Sequence, residues 1–225
     1  MQKFAIIVAG GSGSRMKSEI PKQFLEVGGK PILMHTLNAF YHAVEDLRLI
    51  VVLPEKDHGL WFQLCKGHDF NIQHTIVKGG SSRFQSVRNG LATIEASAGL
   101  VAIHDGVRPF VDAAVIQNSF EVAQTEGSAI AVLPLKDSIR KVDERGTSVF
   151  QDRNQFRLVQ TPQTFDLNKI RQAFVVEESS VFTDDATVFE HQGWQVTLIE
   201  GNAENIKITS PDDLAYAAYL LGKKQ

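Results

Sequence analysis

Apolar segments of strand length alternate with helical patterns along nearly the whole chain. Between these segments apolar residues recur at helical spacing, as Phe84, Val87 and Leu91 do. This alternation predicts an α/β fold with a single Rossmann-like domain over residues 1–225, built as a mostly parallel sheet flanked by helices. The predicted strands, several apolar on both faces as buried parallel strands are, read KFAIIVA (3–9), LRLIVVLP (47–54), IQHTIV (72–77), LVAIHD (100–105), SAIAVLPL (128–135) and WQVTLIEG (194–201).

Two further patterns mark helix starts. Pro31 precedes an apolar helical pattern, and proline is favoured where a helix begins. Ser210 precedes Pro211 and two aspartates, which predicts an N-cap at Ser210.

One segment departs from the alternation. Residues 137–153, DSIRKVDERGTSVFQDR, alternate polar and apolar side chains around the turn sequence Asp143–Gly146, so we predict a protruding β-hairpin arm. A two-stranded ribbon that projects alone is marginal in water because it cannot bury its apolar side chains. The same ribbon of a second subunit would provide the missing surface, which predicts a homodimer with twofold symmetry through the arm. The apolar side chains to be covered are Ile139, Val142, Val149 and Phe150.

Composition narrows the class of protein. With 43% hydrophobic and 22% charged residues and a net charge of −3, the chain is neither disordered nor a nucleic-acid binder. Cys65 is the one cysteine, so no intrachain disulfide forms, which suits the cytoplasm. The seven histidines show no paired zinc-ligand spacing, and the first apolar run is too short to span a membrane. A cytoplasmic protein without membrane contact is expected.

The first predicted strand leads into a glycine-rich segment, AIIVAGGSGSRMKSEIPKQFL (5–25). Glycines after a strand let backbone N–H groups approach a phosphate closely, and Arg15 and Lys22 add positive charge. The segment lacks GxxxxGK[ST], and Met16 stands where a dinucleotide-binding fingerprint has its third glycine. A hydride-transfer enzyme is therefore disfavoured. The segment alone also fits a plain glycine turn whose two basic side chains are solvated.

The order of further motifs identifies a family. The segment just described is similar to the signature loop of nucleotidyltransferases that activate sugar and polyol phosphates. Over essentially its full length the chain resembles the 2-C-methyl-D-erythritol 4-phosphate cytidylyltransferases of the non-mevalonate isoprenoid pathway. The resemblance implies CTP and a polyol phosphate as substrates, Mg²⁺ as cofactor, and an arm that reaches a neighbouring subunit's site. The further motifs are GGSSRFQSV (79–87), HDGVRPF (104–110), PLKDSIRK (134–141), DRNQFRLVQTPQTF (152–165), FTDDA (182–186) and ENIKITSPDDL (204–214).

The resemblance also implies which residues hold the nucleotide. Cytidylyl transfer places growing negative charge on the α-phosphate and the departing pyrophosphate, so fixed cations stabilise the transition state. Arg15 and Lys22 would take that catalytic role. Asp105 would contact the ribose or the Mg²⁺, which prefers oxygen ligands. The implied nucleotide-binding residues are Ala9, Gly10, Gly11 and Gly13 on the triphosphate side, Gly80, Ser81 and Ser86 around cytosine, and Asp105 with Gly106.

The polyol phosphate has its own implied residues. Arg153 and Lys207 would hold the attacking phosphate in line and so count as catalytic. A phosphate monoester, whose second pKa is about 6, is already largely dianionic at neutral pH and needs no general base. His104 is accordingly interpreted as structural. The implied substrate-binding residues are Asp105, Arg108, Ser138, Arg153, Thr161, Thr183, Asp184 and Lys207.

Two alternatives stay open at the level of the sequence. Ribitol-5-phosphate cytidylyltransferases share the glycine loop, the HDxxRP stretch and the NIK motif, although residues 152–165 and 182–186 favour methylerythritol phosphate. A non-catalytic regulatory module that binds a nucleotide is the alternative from another class. The presence of both Arg15 and Lys22 favours the enzyme, because binding alone would tolerate the loss of one.

Overall fold

The computed structural model describes residues 1–11, 16, 18 and 20–223. Within these residues a seven-stranded sheet forms the centre, and two short antiparallel pairs lie outside it. The central strands are β1 (Lys3–Val8), β4 (Arg48–Leu53), β5 (His74–Lys78), β6 (Leu100–Asp105), β7 (Ser128–Pro134), β10 (Arg157–Asp166) and β11 (Leu198–Glu200). The outer pairs are β2 (Glu26–Val27) with β3 (Lys30–Pro31), and β8 (Ile139–Val142) with β9 (Ser148–Gln151).

Helices connect the strands and cover both faces of the sheet. Short 3-10 helices at Lys22–Phe24, Glu55–Asp57 and Arg153–Gln155 join some of the elements. Over the ranges that the structure describes, no helix is both long enough and apolar enough to cross a membrane. The α-helices are α1 (Ile32–Ala43), α2 (His58–Gly67), α3 (Arg83–Ala92), α4 (Ala113–Glu126), α5 (Leu167–Ala173), α6 (Asp185–Glu190) and α7 (Pro211–Lys223).

The sheet is mostly parallel, as the sequence predicts. Its strand order is β11-β7-β10-β6-β1-β4-β5, and all six predicted strands belong to it. The pairs β1–β4, β1–β6, β4–β5 and β11–β7 are parallel. Strand β10 lies between β6 and β7 and is antiparallel to both. The sequence-based strand assignment did not include β10.

Both faces of the sheet are buried, which explains the continuous apolar runs. Ile7 in β1 points to the face covered by α1, α2 and α4, where Phe40 and Trp61 are fully buried. Ile6, its neighbour, points to the opposite face, covered by α3, α5 and α6. Adjacent strand residues face opposite sides of a sheet, so a strand covered on both faces has no polar alternation.

The predicted helix starts are confirmed. Helix α1 begins at Ile32, directly after Pro31. At the start of α7, the hydroxyl of Ser210 accepts a hydrogen bond from the backbone N–H of Asp213 at 3.3 Å. The carboxylate of Asp213 in turn accepts from the backbone N–H of Ser210 at 2.8 Å. The two residues cap the helix reciprocally.

The β8–β9 hairpin has exposed apolar side chains on both of its faces. Arg140 pairs with Phe150, and Lys141 pairs with Val149, so Phe150 and Val149 point to opposite sides. Phe150 is 68% exposed and Val149 is 54% exposed. Within a single chain this hairpin therefore lacks the apolar cover that a stable ribbon needs.

Candidate active site

A pocket of about 350 Å³ opens at the carboxyl ends of the central strands. Ligands of open α/β sheets bind outside these strand ends, where loops lead into helices. The segments after β1, β5 and β6 supply three sides of the wall, and the 3-10 helix at Lys22–Phe24 and Lys207 complete it. The described residues that line the pocket are Val8, Ala9, Gly10, Gly11, Lys22, Gln23, Gly80, Ser81, Ser82, Arg83, Ser86, Asp105, Val107 and Lys207.

Backbone hydrogen bonds to β4 continue past the ends of β1 and β5, into the first residue of the loop that follows each strand. The N–H of Ala9 donates to the carbonyl of Val52 at 2.9 Å, and the N–H of Gly79 donates to the carbonyl of Leu53 at 2.8 Å. The glycine loop and the loop after β5 therefore start from fixed positions on neighbouring strands. Sites on such rigid elements hold their geometry better than sites on free loops.

The loop after β5 is shaped around α3. A Cβ on Gly80 would come within 2.2 Å of the Cβ of Gln85, so only glycine fits there. The hydroxyl of Ser86 donates to the carbonyl of Ser82 at 2.8 Å and accepts from the N–H of Gly80 at 3.1 Å. Ser86, predicted as a base contact, thus also holds the loop in place. Its oxygen keeps one lone pair for a ligand.

Lys22 lies beside the glycine loop. The position that a Cβ on Gly11 would take is 3.2 Å from Cε of Lys22 and 3.5 Å from its Nζ. The ammonium group is therefore close to the backbone of Gly11, where a phosphate would approach. Pro21, which has a fixed φ of −53°, precedes the short helix that carries Lys22.

Asp105, at the end of β6, is surrounded by three positive side chains. Its Oδ2 is 3.0 Å from Nζ of Lys207 and 3.4 Å from Nε of Arg108, and its Oδ1 is 3.5 Å from Nε of Arg83. Burial acts to raise the pKa of the Asp105 carboxyl, but the charges of Arg83, Lys207 and Arg108 outweigh it and hold that pKa well below its ordinary value. The carboxylate is therefore ionised at neutral pH.

Arg83 links this cluster to a second buried carboxylate. Its guanidinium donates to both oxygens of Asp185, at 2.8 and 2.6 Å, in the two-pronged geometry that arginine favours with carboxylates. Asp185 is only 1% exposed and lies in the first turn of α6. The sequence places Arg83 in the segment expected around cytosine, but it predicts neither a role for Asp185 nor the pairing of the two residues. A bond between residues 102 positions apart leaves no local signal in a single sequence.

Gln23 also lines the pocket, although the motif assignment gave it no role. It is 1% exposed, and neither its side-chain oxygen nor its nitrogen has a hydrogen-bond partner among the described residues. Its only sequence signal was its position beside Lys22 in PKQFL.

Three of the predicted residues lie behind the wall of the pocket. Thr161 is buried, and its hydroxyl accepts a hydrogen bond from the N–H of Asp105 at 3.1 Å. Arg108 donates to the carbonyl of Asn205 at 2.7 Å as well as facing Asp105. Gly106 is packed so closely that a Cβ would come within 2.8 Å of the Cβ of Ala9, so close packing explains why glycine occupies this position.

The remaining predicted residues lie apart from the pocket. Asp184 caps α6 by accepting from the N–H of Thr187 at 2.9 Å, and it accepts from Gln163 at 2.8 Å. Thr183, the preceding residue, is exposed. Ser138 and Arg153, at the two ends of the arm, are exposed and are absent from the described pocket lining. Gly13 and Arg15 lie outside the described residues.

His104 is fully buried beneath the site, with its Nε2 3.1 Å from the carbonyl of Arg108. Burial lowers the pKa of the imidazole to about 4. The ring stays neutral at physiological pH and is absent from the described pocket lining. This geometry agrees with the structural interpretation of His104.

The burial of His104 predicts a pH dependence of stability. The folded-state pKa of about 4 lies below the ordinary 6.5, so the unfolded chain takes up a proton first as the pH falls. From pH 7 to 4, this group is expected to lower the free energy of unfolding by about 3 kcal/mol. Denaturant unfolding of the wild type and of His104→Asn at several pH values measures the effect, because other titrating groups are common to both. Parallel pH profiles would contradict it.

The described residues contain no cluster of three His, Cys, Asp or Glu side chains that could hold a metal ion. In the pocket lining, Asp105 is the one carboxylate among the described residues. Mg²⁺ is commonly bound through one or two carboxylates together with substrate phosphates and water. The donor set therefore fits a metal ion that arrives with the nucleotide.

The fold and the pocket define a class of protein. Three features meet in the pocket: glycines directly after β1, a lysine beside them, and a buried carboxylate among cations at the end of neighbouring β6. They are the features of a nucleotide-binding α/β protein that handles phosphate groups.

Comparison with known proteins identifies the family. The sequence model of the family described as 2-C-methyl-D-erythritol 4-phosphate cytidylyltransferase matches residues 3–223. The chain belongs to this family. It is 48% identical to the 2-C-methyl-D-erythritol 4-phosphate cytidylyltransferase of Bacteroides thetaiotaomicron, covering 98% of this chain and 100% of the relative. It is 43% identical to that of Clostridium acetobutylicum, covering 98% and 97%.

Solved structures give the same result. The crystal structure of the 4-diphosphocytidyl-2C-methyl-D-erythritol synthase from Anaerococcus prevotii matches with a TM-score of 0.84 at 27% identity, over 98% of both chains. The cytidylyltransferase from Thermus thermophilus matches with a TM-score of 0.78 at 33% identity, again over 98% of both chains. The mostly parallel sheet flanked by helices is thus the fold of this family.

Proposed function

We propose that the protein transfers a cytidylyl group from CTP to 2-C-methyl-D-erythritol 4-phosphate, forming 4-diphosphocytidyl-2-C-methyl-D-erythritol and pyrophosphate. The observation that carries this proposal is that one pocket holds Gly10 and Gly11 beside Lys22 and also Asp105 beside Lys207. The first pair suits a triphosphate, and the second lies where a phosphate monoester can approach the nucleotide. The family supplies the identity of both substrates.

The chemistry follows from where the charges lie. An oxygen of the methylerythritol phosphate attacks the α-phosphorus of CTP, and the bond to the pyrophosphate oxygen breaks. Lys22, with Arg15, stabilises the negative charge that grows on these oxygens. Lys207, whose side chain is 42% exposed, orients the attacking phosphate. The attacking oxygen carries no proton at neutral pH, so the neutral, buried His104 is not needed as a base.

Binding of the base and sugar uses the other walls of the pocket. Gly80, Ser81 and Ser86 would face the cytosine, and Asp105 would contact either the ribose or the Mg²⁺. Mg²⁺ bound by the triphosphate would neutralise part of the phosphate charge.

The proposal includes a homodimer in the cytoplasm. Exposed apolar residues on both faces of the β8–β9 arm support the dimer, since a second subunit would cover them. Ser138 and Arg153 then act in the partner's site, while Arg15, Lys22 and Lys207 act in their own. The lone Cys65 suits a reducing compartment.

Substrate choice tests the proposed reaction. Pyrophosphate release is expected with CTP and methylerythritol 4-phosphate, with kcat/KM at least about tenfold lower for ribitol 5-phosphate, because polar groups placed for one polyol are left unpaired by another. Each nucleoside triphosphate is assayed with each polyol phosphate.

Two results would contradict the proposal in different ways. Equal or faster turnover of ribitol 5-phosphate would replace the named polyol and keep the enzyme class. CTP binding without pyrophosphate release from any pair would favour the regulatory module.

A further inference from the structure

Strand β10 has an irregularity directly behind the pocket. Its pairing with β7 runs from Arg157 to Val159, shifts, and resumes at Gln163. Residues 160–162 therefore stand outside the β7 ladder, although Gln160 and Thr161 are only 6% and 5% exposed. Irregularities of this kind redirect side chains and are common next to active sites.

The side chain that this shift redirects is Gln160, and it meets Asn205. The Nε2 of Gln160 donates to the carbonyls of Asn202 at 3.1 Å and Asn205 at 3.3 Å. The Nδ2 of Asn205 donates to the carbonyl of Thr161 at 2.8 Å and to Oε1 of Gln160 at 3.3 Å. Asn205 is 0% exposed. We call these two side chains the amide pair.

The amide pair reaches the charged cluster by three routes. The backbone carbonyl of Asn205 accepts a hydrogen bond from Nη1 of Arg108 at 2.7 Å. Lys207 follows Asn205 by two residues and places its Nζ 3.0 Å from Asp105. Asn205 binds the backbone carbonyl of Thr161. The hydroxyl of Thr161 in turn accepts a hydrogen bond from the backbone N–H of Asp105.

We propose that Gln160 and Asn205 are positioning residues, which fix Lys207 and Arg108 against Asp105 and so set the site for the attacking phosphate. The assignment of that phosphate to the polyol substrate rests on the proposed function. Neither side chain touches substrate; both act through the residues that do.

The chemistry of the pair suits this role. The lysine stem is flexible, so the location of Nζ depends on how firmly the backbone near residue 207 is held. A neutral amide fixes that backbone and adds no charge that would compete with a phosphate. The fit is close, because a Cβ on Gly201 would lie 2.3 Å from Oε1 of Gln160.

The first test needs no substrate. In Asn205→Ala, acylation of Lys207 by acetic anhydride, followed by peptide mass spectrometry, is expected to be about two- to fivefold faster, since the ion pair with Asp105 is loosened. Gln160→Ala leaves residue 205 intact and should act in the same direction. Gln117→Ala removes a side-chain amide that bonds to Ala43 between α4 and α1, and it should leave the Lys207 rate unchanged.

The second test is kinetic. Asn205→Ala is expected to raise KM for methylerythritol phosphate on the order of tenfold, with KM for CTP changed less than about twofold, because misplaced binding groups cost affinity for the substrate they hold. In a Lys207→Ala background the same substitution should add only a small part of that factor. An effect of full size in that background would show that Asn205 does not act through Lys207 and would overturn the proposal.

The two tests separate this inference from the proposed function. Unchanged acylation of Lys207 in folded Asn205→Ala and Gln160→Ala overturns the positioning role, whatever the enzyme turns over. A wild-type protein inactive with every polyol phosphate overturns the proposed function, and the acylation rates then still decide the positioning role.

Discussion

Replacing Lys22 by alanine is expected to lower kcat by on the order of 10²–10³, the usual cost of losing one donor to the transition state. The reason is its place beside Gly11, where its ammonium would face the phosphates of the proposed CTP. Arg15→Ala is expected to have an effect of similar size. CTP affinity should fall less than kcat, because the charge that these residues meet grows during the reaction.

Single-turnover kinetics and calorimetry of CTP binding measure the two quantities separately. Lys66→Ala, which removes an exposed lysine from the last turn of α2, is the matched control and should keep wild-type kcat. Loss of CTP binding together with normal turnover at saturation would show that Lys22 binds the ground state, and the assigned role would be wrong.

Most of the sheet could be predicted because burial on both faces leaves a strong pattern. Residues 4–8 of β1 and 100–103 of β6 are continuous apolar runs, and at strand length such a run favours a buried strand. Strand β10 lacks this pattern, because it carries Pro162 and has polar residues at Gln160, Thr161 and Gln163 in its middle. Proline weakens a strand prediction, and here it lies in the segment where the pairing with β7 shifts.

The location of a site residue can be predicted from the sequence only where that residue lies at or directly after the end of a predicted strand. Asp105 terminates β6, and Gly10 and Gly11 follow β1, so their meeting at one edge follows from a parallel sheet. The bonds of Arg83 with Asp185 and of Gln160 with Asn205 join distant segments through side-chain geometry. Contacts of this kind cannot be predicted from a single sequence, because no local pattern marks the two partners. Lys207 was assigned through the family resemblance, and its distance to Asp105 came from the structure alone.

The local sequence of the arm predicts the hairpin itself, but it does not identify the surface that covers the hairpin. The hairpin turn forms around Gly146, whose φ of +80° suits glycine, and Asp143 accepts backbone hydrogen bonds from Arg145 and Thr147. Exposed Val149 and Phe150 then require a covering surface. A second copy of the chain is the proposed surface, and it would bring Arg153 to a pocket that its own arm does not line.

Mixing two inactive variants, Lys22→Ala and Arg153→Ala, under conditions of subunit exchange is expected to restore about a quarter of wild-type activity. Equal amounts that exchange at random make about half of the dimers mixed. In a mixed dimer one composite site carries both substitutions, whereas the other combines an intact Lys22 with an intact Arg153 from the neighbouring arm. Half of the dimers are mixed, and each mixed dimer has one working site out of two, so about a quarter of all sites are active.

Exchange itself is followed with subunits of different mass by native mass spectrometry, so that activity and dimer composition are compared in the same sample. A mixture of Lys22→Ala with Lys207→Ala is the matched control. Both of these residues line the same pocket of one chain, so every site in a mixed dimer carries one defect and activity should stay absent. No recovery with Arg153→Ala, despite proven exchange, would place Arg153 in its own subunit's site. The exposed apolar faces of the arm would then serve assembly alone.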